Sequence, residues 1–384
     1  MNEYVQTHLL TATTLRRRQA AMIISPNLLI TSFCTLLLFA LVSCTQATPD
    51  SISSGKPTVT GQVTESKTGS SAPDKRRRDS TANHEGILLS QTDTDGDDLP
   101  ESIAVCETAS ICVNHPALGI NHTYTNPGWE HVVLLAIQDT DGIKGAEIVV
   151  LATTTDGALG CICIIHDRSQ AMASYLGPQW STATVKSVVD TNGEPGDEVV
   201  LVAYDRRGGL QCVCIIRDRD GTYQTYSDAS WASVHINWVE DTDANPGAEV
   251  VLEVHGHHDT IYCICVIHHR EDRVATYSDP RWKAVAVQLL IDTDGAPGNE
   301  IVAVYSSELD GGVSIIHDRP QSMKTIAFTG EHPSIQQVGN YDHLLGAELC
   351  IFLANQHTHE LINDRSGEHA KIDNCQREQE NTHT

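Results

Sequence analysis

The sequence predicts an all-β protein, a β-propeller of six blades with four antiparallel strands in each. Three observations support this prediction. Units of about 50 residues repeat along the chain, each unit contains four short segments of strand length, and no stretch keeps the 3.6-residue period of a helix. Repeats of this size with four strands are typical of propeller blades, in which each blade is covered by its neighbours.

The repeat is marked by residues that return at a step of 51. They are Trp129, Trp180, Trp231 and Trp282, then Asp139, Asp190, Asp241 and Asp292, then Glu147, Glu198, Glu249 and Glu300. A degenerate copy begins at Asp93 and another at Asn340. The six predicted units lie near residues 83–128, 129–179, 180–230, 231–281, 282–331 and 332–384, so that the propeller occupies 83–384.

Each unit divides into the same four segments. The first strand follows the Trp, as in WEHVVLLAIQ, and the second strand, EIVVLA, comes after an acidic turn. The third strand is CICIIHD or a variant, and the fourth is shorter and more polar, as in ASYLG. The second and third segments are almost continuous runs of apolar, β-branched residues. Such runs are typical of strands that are buried on both faces.

The N-terminal 43 residues read as an export signal. Three arginines, Arg16 to Arg18, precede an apolar run from Leu28 to Val42, which ends in the tetrad Leu-Val-Ser-Cys. The tetrad resembles the lipobox of bacterial lipoproteins, which implies that Cys44 is lipidated. An uncleaved signal anchor is the alternative. Both interpretations place the rest of the chain outside the cytoplasm, and Thr45 in place of an Asp favours the outer membrane or the cell surface.

Residues 44–82 are predicted to be a disordered tether, because they are rich in Ser, Thr, Gly and Pro and have no apolar period. From residue 87 onward the chain carries 16 basic side chains against 44 acidic ones. Such a surface repels nucleic acid and anionic lipid, so we exclude nucleic acid as a partner. Contact with the membrane is expected only through the lipid anchor.

The acidic turn between the first and second strands is the candidate metal site. Carboxylates at its positions one, three, five and nine can surround Ca²⁺, which takes six to eight oxygen ligands. The fullest sets are Asp93, Asp95, Asp97 and Glu101 in unit one, Asp190, Asn192, Glu194 and Glu198 in unit three, and Asp241, Asp243, Asn245 and Glu249 in unit four. Position five is apolar in the other units, which keep Asp139, Asp141 and Glu147, then Asp292, Asp294 and Glu300, then Asn340, Asp342 and Glu348. The alternative is a turn without metal, since Asp and Asn bond to nearby backbone by themselves.

A strand, a D-x-D-G turn and an E-[IV]-V-V strand together resemble the FG-GAP or VCBS-type repeats of integrin α-chain propellers and exported bacterial proteins. The resemblance covers about 300 residues of this chain and implies a propeller whose turns bind Ca²⁺. Two features depart from the family pattern. The Phe-Gly and Gly-Ala-Pro elements are missing, and a glutamate replaces the usual ninth-position aspartate.

Cysteine and histidine form further candidate sites. Cys106 with Cys112 and Cys350 with Cys375 are possible disulfides, since export permits them. Three Cys-x-Cys pairs on third strands, which begin at Cys161, Cys212 and Cys263, are either small buried residues or disulfides with neighbouring strands or blades. A speculative second metal site, for Zn²⁺ or Cu²⁺, consists of His255, His257 and His258. A polar loop is the alternative. An arginine follows the third strand in five units, as at Arg168, and is interpreted as an ion-pair or carbonyl clamp between blades.

No catalytic motif is found. The predicted function is therefore a membrane-tethered, Ca²⁺-braced propeller that binds a protein or glycan ligand or serves as a scaffold. The alternative is an extracytoplasmic enzyme that acts on glycans or depends on a metal, with residues drawn from the loops of one propeller face. A purely structural role in envelope assembly is a third hypothesis, which differs in requiring a stable protein partner.

Overall fold

The computed structural model describes strands at 58–59 and 62–67 and residues 87–375, except 108, 258–261 and 309. The predicted signal segment, Cys44 and most of the predicted tether lie outside these residues. Within the described part of the chain, no helix is both long and apolar enough to cross a membrane.

Six antiparallel sheets of four consecutive strands each follow one another along the chain, and we name them blades one to six. Blade one has β3 (Ile87–Thr92), β4 (Glu101–Cys106), β5 (Ser110–His115) and β6 (Ile120–Thr125). Blade two has β7 (His131–Gln138), β8 (Glu147–Thr153), β9 (Leu159–His166) and β10 (Ala171–Tyr175). Blade three has β11 (Thr182–Val189), β12 (Glu198–Tyr204), β13 (Leu210–Arg217) and β14 (Thr222–Tyr226).

Blade four has β15 (Trp231–Glu240), β16 (Glu249–Gly256), β17 (Tyr262–His268) and β18 (Arg273–Tyr277). Blade five has β19 (Ala284–Ile291), β20 (Glu300–Ser306), β21 (Asp310–His317) and β22 (Ser322–Thr329). Blade six has β23 (Pro333–Gly339), β24 (Glu348–Leu353), β25 (Thr358–Asn363) and β26 (Glu368–Ile372). The all-β prediction and the four strands of each unit are confirmed, and the arrangement is propeller-like.

Two further strands lie in the segment that the sequence predicts to be a tether. Strand β1 (Thr58–Val59) pairs with β10 of blade two, and β2 (Gln62–Lys67) pairs with β6 of blade one. The structure differs from the tether prediction at these residues, because the outer strands of two blades offer them backbone hydrogen-bond partners.

The sequence repeat is expressed as a repeated backbone irregularity. In every blade the first strand loses one residue of register against the second, as between Leu134 and Ala136 in blade two and between Val185 and Ser187 in blade three. The other four blades have the same shift, at Leu88/Ser90, Ile236/Trp238, Val287/Leu289 and Ile335/Gln337. A bulge bends the strand, so the six sheets share one local shape.

The apolar faces of successive blades meet in shared cores. One cluster joins Ile103 and Tyr124 of blade one to Ile148 and Cys163 of blade two, all with 0 % exposure. Comparable clusters join blades two and three, three and four, four and five, and five and six. Burial of both faces explains why the second and third strands are apolar at almost every position.

The acidic turns of successive blades lie directly against one another. The Ala146 backbone N–H donates to the Asp93 carbonyl at 2.9 Å, and the same bond recurs from blade to blade. A Cβ atom at Gly142 would lie 2.7 Å from the Pro195 carbonyl oxygen of the next turn, and the φ of Gly142 is +74°. Glycine is required there by both the close approach and the left-handed backbone.

Candidate functional site

The ninth-position glutamate of each acidic turn holds the start of its own turn. In blade two the Glu147 carboxylate accepts a hydrogen bond from the Thr140 backbone N–H at 2.8 Å and another from Thr140 Oγ1 at 3.4 Å. Both residues are buried. The bonds recur at Thr94 and Glu101, Thr191 and Glu198, Thr242 and Glu249, and Thr293 and Glu300. Each glutamate thereby satisfies the polar groups that its turn buries.

A histidine at the end of the third strand lies against the same carboxylates. In blade two His166 Nδ1 is 3.6 Å from Asp141 Oδ2 and 3.7 Å from Glu147 Oε1. The same contacts join His115 to Asp95 and Glu101, His268 to Asp243 and Glu249, and His317 to Asp294 and Glu300. The third and ninth positions of these turns therefore share an imidazole partner from their own blade.

The other imidazole nitrogen reaches the next blade. His166 Nε2 is 3.3 Å from Asp218 Oδ2, on the turn after the third strand of blade three. Thr140 Oγ1 donates to the same oxygen at 2.6 Å, and the Tyr175 hydroxyl donates to Asp218 Oδ1 at 2.8 Å. Asp167 and Asp318 likewise accept a threonine and a tyrosine hydroxyl and lie 3.0 and 3.2 Å from a histidine Nε2, although the His268 Nε2 contact is not aligned as a hydrogen bond. Asp364 accepts from Thr293 and Lys324 and lies 3.1 Å from His317 Nε2. One buried aspartate therefore connects each of these blades to the preceding one.

These contacts keep two of the histidines charged at neutral pH. Hydrogen bonds to Asp364 and Glu300 raise the pKa of His317 to about 10, against the opposing effect of burial. Burial lowers the pKa of His166, but the carboxylates of both blades outweigh it and raise the pKa to about 10. Imidazolium groups thus neutralise the acidic turns of blades two and five.

The interface between blades three and four has other residues in place of the histidine and the aspartate. Arg217 stands where other blades have the histidine, and His269 stands where they have the aspartate. Thr191 Oγ1 still has a partner, His269 Nδ1 at 2.6 Å. Burial, and then the Arg217 charge, lower the pKa of His269 to about 4, so this side chain is neutral at pH 7. The Tyr226 hydroxyl, whose counterparts donate to an aspartate, is buried without a hydrogen-bond partner among the described residues.

The first and fifth positions of the acidic turns bond to their own turn. Asp139 Oδ1 accepts from the Gly142 N–H at 2.7 Å, and Asp93, Asp190, Asp241 and Asp292 accept the corresponding amide. At position five Asp97 accepts from the Leu99 N–H at 2.8 Å, and Glu194 is exposed. Asn245 donates instead to Asp243 at 2.8 Å. These are turn bonds that Asp and Asn form without a metal.

The resemblance implies Ca²⁺, and this donor set is a poor match for it. Ca²⁺ prefers oxygen ligands, but the group that faces the third and ninth positions is an imidazole nitrogen in four blades. In blade three the equivalent residue is Arg217, and the third position is Asn192, whose side-chain amide donates to Glu198. Burial raises the pKa of Glu198 to about 7, and the Arg217 charge opposes this rise. Arginine is always protonated and cannot ligate a cation. The pair of carboxylates therefore fits a cationic side chain better than a calcium ion.

The repeated arginine is a carbonyl clamp, but it acts within one blade. Arg168 Nη1 donates to the Lys144 carbonyl oxygen of its own acidic turn at 3.4 Å. Arg219 and Arg270 make the equivalent bonds to the carbonyls of Pro195 and Pro246. The expectation of a clamp between blades is wrong for these arginines, because the turns that follow strands one and three lie at the same end of a blade.

The cysteines form three disulfides among the described residues. Cys106 bonds to Cys112, and Cys350 bonds to Cys375, as the sequence suggests. Cys161 bonds to Cys163 within one strand, whereas the Cys212/Cys214 and Cys263/Cys265 pairs are buried and form no disulfide among the described residues.

The speculative histidine site lies at the opposite end of blade four, between the second and third strands. The His255 ring packs edge-on against Tyr262, with ring centroids 5.3 Å apart. His257 is exposed, and His258 lies outside the described residues.

Sequence reasoning missed the histidine, threonine and tyrosine of the blade interfaces. The signal was present, because a Thr follows the first Asp in five turns and a Tyr is the last or next-to-last residue of the fourth strand in four blades. These residues are distant from one another along the chain, so spacing alone does not show that they converge on one aspartate.

A comparison with models of known protein families found none that matches this chain. No curated protein matches it either.

Proposed function

We propose that this protein is an extracytoplasmic, membrane-tethered β-propeller that acts as a non-catalytic binding or scaffold module for a protein partner. One observation carries the proposal. Leu99, Ile143, Leu344 and Leu345, all on acidic turns, and Leu118, on the turn between the third and fourth strands of blade one, are exposed by 47 to 74 %. In an antiparallel sheet these two turns lie at the same end.

Apolar side chains at this end therefore project beside carboxylates. Only three other large hydrophobic residues among those described are comparably exposed, namely Val133, Leu176 and Val274. Exposed apolar groups rimmed by polar ones are typical of protein-binding surfaces. We name the end of the blades that carries the acidic turns the turn face, and we place the partner there.

Site-specific photo-crosslinking in cells tests this assignment. A photoreactive residue at 143 or 345 is expected to trap a protein, while the matched control at Leu176 precedes a first strand and so lies at the opposite end of the blades. Adducts at neither turn-face position, or equal adducts at all three, would contradict the assignment. Binding to a glycan array without a protein adduct would favour a glycan ligand instead.

We further propose that the six blades close into a ring, with blade six against blade one. The shared cores between consecutive blades and the common bulge support it, because alike sheets packed in the same way have equal rotations between them, and six steps of one sixth of a turn form a closed ring. Electron microscopy of the full-length chain in detergent is expected to show ring-shaped top views. An elongated or open arc would contradict closure.

The tether and the calcium prediction need separate measurements. Mass spectrometry of the mature N-terminal peptide is expected to show a lipid-modified Cys44, absent in Cys44→Ser. Calorimetry of the full-length chain with Ca²⁺ tests the turns. Binding heat lost in Asp93→Ala and Asp97→Ala would support calcium at the exposed carboxylates of blade one. No heat would leave the side-chain cations as the only counter-charges.

A further inference from the structure

The interface of blades one and two holds a side-chain cluster with two buried histidines, whereas among the described residues the interfaces of blades two and three and of blades four and five have one histidine each. His115 at the end of β5, His122 on β6 and Asp167 after β9 converge there. All three are buried, with exposures of 2 %, 4 % and 1 %. The cluster therefore joins two blades in a region closed to solvent.

The ligand-type atoms of these side chains lie at distances suited to one small cation. His115 Nε2 is 3.2 Å from His122 Nδ1, His122 Nδ1 is 2.8 Å from Asp167 Oδ1, and His115 Nε2 is 3.0 Å from Asp167 Oδ2. Tetrahedral ligands at roughly 2.0–2.1 Å from a zinc ion are roughly 3.3 Å apart. Two nitrogens and one carboxylate oxygen thus approximate three ligands of a four-coordinate set.

The remaining nitrogen of each histidine faces a polar side chain. His115 Nδ1 faces Asp95 Oδ2 at 3.4 Å and Glu101 Oε1 at 3.5 Å, yet forms no well-aligned hydrogen bond. His122 Nε2 is 3.2 Å from Gln170 Nε2, a donor, so the amide must turn to present its oxygen when His122 Nδ1 binds metal. Histidines that bind metal usually donate their other N–H to a carboxylate or carbonyl group, which fixes the ring.

Comparison with blades two and four shows that the contact between neighbouring blades does not require a residue like His122. The equivalent residue, two positions along the chain before the fourth-strand Tyr, is Ala173 in blade two and Ala275 in blade four. The blade interfaces at Asp218 and Asp318 are complete without it, because each aspartate has its threonine, tyrosine and histidine. In blade one His122 is added to a full set and brings a second imidazole nitrogen close to the first.

Lys324 occupies the position of His122 in blade five and donates to the bridging aspartate of that interface, Asp364. In blade five it contacts Asp364 at 3.3 Å, where no tyrosine hydroxyl is present because Ile326 replaces the Tyr. Lys324 thus substitutes for a missing donor. His122 coexists with Tyr124, which already donates to Asp167 Oδ1 at 2.5 Å.

We propose that His115, His122 and Asp167 bind one borderline divalent cation such as Zn²⁺, which clamps blade one to blade two. Two imidazoles and a carboxylate suit Zn²⁺, Co²⁺ and related ions and do not suit Ca²⁺. Burial leaves no room for a substrate, so the role is structural. The site is independent of the calcium prediction and of the partner on the turn face.

The test is metal binding by the full-length chain in detergent, after chelation and with excess Ca²⁺ present throughout. Wild type is expected to take up one equivalent of Zn²⁺, to melt at a higher temperature with it, and to give the visible spectrum of four-coordinate Co²⁺. His122→Ala should weaken binding by at least about 100-fold, since loss of outer-shell partners alone costs roughly 10–100-fold. This variant recreates the residue of blades two and four and should fold.

His166→Ala is the matched control, because it removes the histidine equivalent to His115 at the next interface and should leave Zn²⁺ binding unchanged. Ala173→His, which places a second histidine beside His166 and Asp218, is expected to add a second equivalent. Equal Zn²⁺ affinity in wild type and His122→Ala, or no binding in wild type, would overturn the proposal and leave a proton-linked histidine pair.

Discussion

At the scale of single residues, a buried aspartate with several donors is what joins one blade to the next. Burial raises the pKa of the Asp318 carboxyl, but the charge contact with His268 and the hydrogen bonds from Tyr277 and Thr242 outweigh it and hold the pKa below the usual value. Buried carboxylates are costly unless all their hydrogen bonds are formed. The stability of each interface should therefore depend on individual donors.

Removal of the tyrosine hydroxyl should lower stability at an interface with a bridging aspartate, but not at the interface of blades three and four, where His269 replaces that aspartate. Tyr277 donates to Asp318 at 2.6 Å, so we expect Tyr277→Phe to lower the free energy of unfolding by about 1.5–3 kcal/mol, the range for a bond to a charged group. Tyr226 is its matched control, because its hydroxyl is buried without a partner among the described residues. Tyr226→Phe should be neutral or slightly stabilising in denaturant unfolding. Equal losses would contradict this account.

The histidines should make stability depend on pH in a defined direction. His317 has a folded pKa of about 10 against about 6.5 in an unfolded chain, so folding favours its protonated form. Its contribution is fully present below about pH 6.5 and is lost as the pH rises through about 10. Denaturant unfolding across this window should show the loss.

The variant His317→Arg is the control for this titration, since Arg217 occupies the equivalent position in blade three. Arginine keeps its charge throughout the window. The pH-dependent difference in unfolding free energy between wild type and variant should then grow with pH. A difference that stays constant from pH 6 to about 10 would rule out a charged His317 as the clamp.

At the scale of elements, the acidic turns touch each other through backbone, and this contact restricts the fourth position. Gly142 and Gly193 have positive φ and leave no space for a Cβ atom beside the following turn. Blade four has Ala244 at this position, with a φ of 63°. Blade six likewise has His343 there, with a φ of 64°. The strain of a left-handed residue is thus present in two turns and avoided in the four that have glycine.

Exchange of these two residues tests the restriction. Gly142→Ala should lower the free energy of unfolding by about 1–2 kcal/mol, the cost of a left-handed L-residue, and more if Pro195 cannot move. Ala244→Gly should raise it by up to about 1 kcal/mol, because strain is relieved at the cost of greater chain entropy. Thermal and denaturant unfolding provide the measurement. A stabilising Gly142→Ala would show that the turns are not in tight contact.

At the scale of the whole molecule, stability should be shared through neighbouring pairs, as in other repeat proteins. The bridging aspartate is present after the third strand of blades two, three, five and six. In blade one this position is Pro116, and in blade six the turn threonine is replaced by Tyr341. An interface between blades six and one cannot form the bridge that joins most other blades.

Hydrogen exchange should therefore be fastest at the interface between blades six and one, which we call the seam. We expect amides of blades one and six to lose protection before those of blades two and five, which have a bridging aspartate at both interfaces. Mass-spectrometric exchange of the full-length chain in detergent measures this order. Uniform protection of all six blades would show that the seam is held by other contacts. The Cys350–Cys375 disulfide should limit the opening of blade six, and reduction is expected to accelerate its exchange.

The sequence by itself determined the six strand-rich units, the place of the acidic turns and the cysteine pairs at 106/112 and 350/375. These features are local, because strand periodicity, turn residues and short spacings are written within one unit. The tertiary structure alone decided the partners of the acidic turns. His166 meets Asp141 of its own blade and Asp218 of the next only after strands pair and blades stack. The sequence showed excess negative charge and suggested calcium, whereas packing brought histidine, threonine and tyrosine to those carboxylates. A buried carboxylate is stable only with a counter-charge or donor at contact distance. Packing places side chains of the same protein at that distance, and they therefore occupy the position that the sequence analysis assigned to calcium.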